Sequence, residues 1–174
     1  EQDALTGVSV LESQGGYISL PEFEPGSQYM PFSSQLDFLG NPIPYWYYVS
    51  GNNIQKEQIP TKEEMGKQLG GFVASEIDNC NFNSYYEQGF EISLTQPIST
   101  KVSIKDSEVD VALDVNLNIV KGNESVLIKN HEIAVNSKLG KLYNSAKKVY
   151  DQEQKNLFLE EYAVDTLRIY APVD

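Results

Sequence analysis

Glu108, Asp110 and Asp114 fall on one parity of a segment in which apolar and polar residues alternate. Paired carboxylates of this kind can work as acid and base across a glycosidic bond, or bind calcium through oxygen. In an extended strand Glu108 and Asp110 stand about 6–7 Å apart, inside the range of inverting glycosidases. Asp110 and Asp114 are about 13 Å apart, too far to grip one ion. A half-buried strand also requires polar residues on its wet face, and a solvated face is the plainer account of all three.

Tyr45-Trp46-Tyr47-Tyr48 is the second candidate. Alternation sends Tyr45 and Tyr47 to one face of a strand, Trp46 and Tyr48 to the other. A core needs only one of these faces. The other can stack on a sugar, a peptide or a partner protein, as aromatics with a polar handle do at interfaces. Burial of both faces beneath a helix and a loop is the competing account.

The chain has one cysteine, Cys80, and one histidine, His131. The usual zinc sets of three or four Cys, His and carboxylate ligands cannot be assembled from these. A Cys–His nucleophilic pair is arithmetically available, but the acidic and polar neighbours in Asp78-Asn79-Cys80-Asn81 would not lower a thiol pKa. Cys80 therefore reads as a buried or structural thiol, and His131 as an exposed position on a polar strand. Phosphate loops, nucleophile elbows and zinc-helix motifs are absent, so no metal and no cofactor is expected. Asn123-Glu124-Ser125 is an N-glycosylation sequon, which marks Asn123 as a glycan acceptor if the chain is exported.

The elements that must position these residues follow from periodicity. Val109, Val111, Leu113, Val115, Leu117 and Ile119 occupy every second position, which predicts a long strand over 108–121 with one dry face. Val111, Leu113, Val115 and Leu117 are expected to be buried. Further strands are predicted at 17–20, 45–49, 90–94, 101–105 and 126–135. The change from even (Val102, Ile104) to odd apolar positions calls for a turn at 105–108, and Gly122-Asn123 supplies another. Thr61-Lys62-Glu63-Glu64 is a capping box that opens a helix over 61–79. Apolar spacing predicts helices over 1–14 and 139–170, the second either bent or bridged at Asp151–Lys155. Five prolines between Pro21 and Pro44 predict a long loop, broken at best by an extended piece at 36–39.

Segregated strands and helices indicate α+β: a mainly antiparallel sheet with helices packed on one face, in a single domain spanning 1–174. The 174 residues and 40% hydrophobic content suffice for one substantial core. A net charge of −12 argues against nucleic acid, whose phosphates call for a basic patch. Eleven tyrosines fit a wet interaction surface as well as a core.

Gln14-Gly15-Gly16-Tyr17-Ile18 after a helix, Ile43-Pro44-Tyr45-Trp46-Tyr47-Tyr48, and the capping-box helix leading to Cys80 together resemble a group of uncharacterised archaeal proteins from small-genome lineages. The similarity spans residue 1 to the helix near Leu142. Those proteins carry one N-terminal membrane helix and an exported domain. The resemblance implies an extracytoplasmic domain tethered to a membrane, and a disulfide from Cys80 to a cysteine upstream of Glu1. The helical, uncapped start at Glu1 agrees with a helix continuing from an upstream segment. Two functions stay open: a non-catalytic surface module binding protein or glycan near Tyr45–Tyr48 and the 21–44 loop, or a hydrolase of surface polymers using Glu108 and Asp110.

Overall fold

The computed structural model describes residues 1–28, 30–94 and 98–171. In chain order the elements are α1 (Gln2–Ser13), β1 (Gln35–Phe38), β2 (Asn41–Pro44), β3 (Tyr47–Val49), β4 (Gln55–Glu57), α2 (Lys62–Asp78) and α3 (Asn83–Tyr86). They continue as β5 (Glu91–Leu94), β6 (Ser99–Ile104), β7 (Glu108–Lys121), β8 (Glu124–Asn136), α4 (Leu139–Asn156) and α5 (Phe158–Tyr170). The fold is α+β, and among the described residues every strand pair is antiparallel.

β7 is the spine of the main sheet, as its period-two pattern requires. β8 follows one edge of β7 from Glu108↔Asn136 to Lys121↔Glu124. The other edge is shared end to end: β6 pairs with Val109–Asp114 and β5 with Leu117–Val120. The switch from even to odd apolar residues is a tight turn, closed by Lys105 N–H donating to the Glu108 carbonyl at 2.9 Å. Gly122 has φ 59° and Asn123 does not share it, the sign pattern of a type II′ hairpin.

Helix α2 lies against β6, and α1 lies against α2. Met65, Leu69 and Val73 of α2 and Ala4, Val8 and Leu11 of α1 are buried, and with Val109, Val111 and Leu113 they form the core. Glycine permits the close approach. A Cβ on Gly70 would lie 2.3 Å from Thr100 Oγ1, and one on Gly66 would lie 3.2 Å from the Val102 carbonyl oxygen. What reads as helix-breaking sequence is the seam between helix and sheet.

The capping box at the start of α2 forms as expected. Glu64 N–H donates to Thr61 Oγ1 at 3.1 Å, and Thr61 N–H donates back to Glu64 Oε2 at 2.8 Å. These bonds from the Thr61 backbone, then its side chain, hold the Glu64 carboxyl below its ordinary pKa of 4.5. A depressed folded pKa means stability that is complete above the unfolded value and is lost as pH falls through the folded one. Thr61→Ala should therefore lower stability at neutral pH by about 1 kcal/mol, and Glu64→Gln, which removes the carboxylate that both Thr61 bonds hold, should flatten the acid limb of a melting-temperature-versus-pH curve. An acid limb identical to that of the wild type would disprove this coupling.

Several expectations are corrected. Residues 17–20 form no strand: the Ile18 and Ser19 amides both donate to Gln68 Oε1 at 2.8 Å, so an α2 side chain takes the place of a neighbouring strand. The 21–44 loop ends in the β1–β2 hairpin. Its turn, Leu39-Gly40, has positive φ at both residues. Val115 and Leu117 are half-buried, because β6 and the helix over it reach only as far as Asp114. There the ladder also slips: β7 advances from Leu113 to Asn116 while β8 advances only from His131 to Lys129. Asn130, with φ 50°, sits at that slip.

The C-terminal helices do not pack on the sheet as expected. Only the first turns of α4 reach the core: Leu139 is buried in it, and Tyr143 packs against it half-buried. The charged joint at 151–155 stays helical, and the break comes at Leu157, a left-handed residue with φ 50°. No residue of α5 is buried.

Candidate functional site

The aromatic cluster is not one strand. Tyr45 and Trp46 lie in the bend between β2 and β3, and only Tyr47–Val49 is strand. That bend breaks the alternation and splits the four rings differently from the sequence expectation. Trp46 turns inward. Its Nε1–H donates to the Gly15 carbonyl at 3.0 Å, and its ring packs on Tyr143 at 5.9 Å and Tyr150 at 6.0 Å between centroids. It is one of the joints between α4 and the rest of the chain, beside Leu139 and the Tyr150–Glu57 bond.

Tyr45, Tyr47 and Tyr48 line a groove together with Val49 and with Met30, Phe32 and Ser33 of the proline-rich segment. Its volume is about 360 Å³. The three tyrosines are half-buried, while Phe32 stands 72% exposed at the rim. A polar frame holds the walls. Buried Ser34 exchanges hydrogen bonds with Glu24: the Glu24 amide donates to Ser34 Oγ, and the Ser34 amide to the Glu24 carbonyl, both at 2.9 Å. Gln58 Nε2 donates to the Tyr45 carbonyl at 2.7 Å, and Tyr17 Oη donates to the Gln58 carbonyl at 2.6 Å.

Glu24 also receives hydrogen bonds from Lys56 and from Tyr48 Oη, the latter at 3.0 Å. The Lys56 contact, then the Tyr48 one, holds the Glu24 carboxyl below its ordinary range. Burial, then that carboxylate, pushes the Tyr48 hydroxyl up. Tyr48 is thus a neutral donor committed to Glu24, and it presents its ring rather than its hydroxyl. Tyr150 is held neutral in the same way, by burial and then by its 2.7 Å bond to Glu57.

The two carboxylates that read as acid and base do converge, but on a lysine. Lys105 Nζ lies 2.8 Å from Glu108 Oε1 and 2.6 Å from Asp110 Oδ2. Its pKa is raised, chiefly by Asp110 and then by Glu108, so the ammonium stays charged between them. Asp110 also borders a shallow trough of about 450 Å³ on the outer sheet face, floored by the small residues Ser103, Ala112 and Ala134. Among the described residues no three His, Cys, Asp or Glu side chains converge as a metal site.

No protein-family model, no curated protein and no solved structure matches the chain.

Cys80 is a free thiol and is exposed, not buried; it lies just beyond the end of α2. His131 is exposed, as expected. Asn123 is exposed on the two-residue turn between β7 and β8. Among the described residues no helix is long and apolar enough to cross a membrane. Met30, Phe32 and Ser33 belong to the 21–44 loop that the sequence expectation included, though it singled out none of them. Their signal was available: apolar residues set among prolines in a loop have no core of their own to enter.

Proposed function

We propose that this chain is a non-catalytic, extracytoplasmic interaction domain, tethered to a membrane by a segment outside it, which holds a protein or glycan partner in the Tyr45–Tyr47–Tyr48 groove. The observation that carries this reading is the groove itself, an aromatic-floored concavity with an exposed phenylalanine at its rim. Rigid rings that present a flat face to solvent are the common chemistry of sugar stacking and of peptide docking. The resemblance to membrane-anchored archaeal proteins and the exposed sequon at Asn123 support the location. The lysine lodged between Glu108 and Asp110 favours binding over hydrolysis, because a glycosidase needs one of its carboxyls free and protonated.

Glycan and peptide arrays probed with the purified chain, alongside Phe32→Ala and Tyr47→Ala, test the proposal. A specific hit weakened at least about tenfold by either variant is expected, as for aromatic anchors at interfaces. Two results would overturn it: no hit on either array, or cleavage of a surface polysaccharide that Glu108→Gln or Asp110→Asn abolishes.

A further inference from the structure

Strand β8 is 13 residues long and pairs with β7 on one side only. Among the described residues no strand covers its other edge. A single-sided strand leaves alternate N–H and C=O groups pointing outward, a template for another strand. Its distal half is also apolar and open: Val126, Leu127 and Ile128 are 59%, 49% and 40% exposed. No proline or bulge blocks the 124–129 stretch, and the ladder irregularity begins only at Asn130.

We propose that this edge pairs with β8 of a second copy of the chain, antiparallel about a two-fold axis beside Leu127. Cross-strand partners must share a face, so a two-fold through one residue matches residues of like parity, as an isologous contact requires. In this register Val126 of one copy faces Ile128 of the other, Ser125 faces Lys129, and Glu124 faces Asn130. Apolar meets apolar, and no like charges oppose each other. The result is one continuous sheet running through both copies. Ile92, Leu94, Leu117, Ile119, Val126 and Ile128, already aligned across β5, β7 and β8, would form a single apolar face with their mates.

The exposed area has room for such an interface. The chain exposes 11967 Å², whereas a compact monomer of 19.5 kDa exposes about 8,500 Å². The excess of about 3,400 Å² is a property of the whole chain, the unburied α5 included, and it is larger than the roughly 1,000–2,500 Å² that each copy loses in an obligate dimer. This inference does not depend on the aromatic groove, which lies on other elements.

Sedimentation equilibrium of the chain at about 100 µM, above the dissociation constants usual for stable interfaces, should give twice the chain mass. Leu127→Lys places two ammonium groups face to face at the axis, and Leu127→Glu two carboxylates. Each variant alone should dimerise at least about tenfold more weakly than the wild type, while an equimolar mixture recovers the dimer. Far-ultraviolet circular dichroism matching that of the wild type shows that the exposed substitution leaves the fold intact. A monomeric wild type overturns the proposal. So does a dimer that both variants leave unchanged, or one the mixture fails to restore.

Discussion

Aspartate at Val111 should abolish the folded state at neutral pH. Val111 is fully buried in the first half of β7, flanked across the ladder by Val102 and Ile133. No cation faces it from either neighbouring strand. An isolated carboxylate there must either stay charged in an apolar core or take up a proton, and each course costs several kcal/mol. Net stabilities of single domains are only about 5–15 kcal/mol. Val111→Ala, which removes two methyl groups without adding charge, should cost about 2 kcal/mol. Urea titrations followed by circular dichroism separate the two. A Val111→Asp protein that unfolds at the wild-type midpoint would take β7 out of the core. Leu113 is a gentler site, because it is 9% exposed and its cross-strand partner is the exposed His131. An aspartate there has a polar side chain and nearby solvent to approach.

This difference between neighbouring positions marks where the sequence stops being informative. Alternation along β7 announces a strand, and with the segregated helices it announces the α+β class. Alternation is blind to how far the covering helix extends, however. Val115 and Leu117 carry the same pattern as Val111 but lie beyond the reach of β6 and α2. The capping box and the Gly122-Asn123 turn were legible because their chemistry is complete within four residues. The β2 strand was not, because Pro42 and Pro44 suppress any strand reading. Two residues apart, they direct their missing N–H groups to the same edge, the one without a neighbour, where proline is tolerated.

The site divides in the same way. Tyr45–Tyr48 were visible as an unusual aromatic run, but the bend at Tyr45–Trp46 decides which rings face solvent, and that bend depends on distant partners. Gly15 draws in Trp46, while Glu24 and Gln58 fix Tyr48 and the Tyr45 carbonyl. The acidic pair was visible too. Lys105, which unites the two carboxylates, stands three residues before Glu108 across a turn, and only the turn brings it back.

Alanine in place of Gly140 should be the most damaging of the conservative substitutions. Gly140 is buried in the first turn of α4, where the helix meets the 105–108 turn. An added Cβ would lie 2.2 Å from the Lys105 carbonyl oxygen and 2.7 Å from its carbon. Both atoms are backbone, so no side-chain rotation relieves the clash. The turn itself cannot yield easily. The Lys105–Glu108 hydrogen bond closes it, Asn144 Nδ2 donates to Asp106 Oδ1 at 2.8 Å, and Lys62 approaches the same carboxylate at 3.8 Å. Moving the start of α4 instead would lift Leu139 out of the core. Overpacking of this kind costs about 1–3 kcal/mol or more, against about 1 kcal/mol that alanine gains in a helix. Gly71 supplies the opposite case: it is helical and exposed, and a Cβ there meets nothing within 4 Å. Gly71→Ala should therefore raise the urea midpoint and Gly140→Ala should lower it, with the slope unchanged in both. Equal midpoints for the two variants would mean that α4 does not begin against the turn.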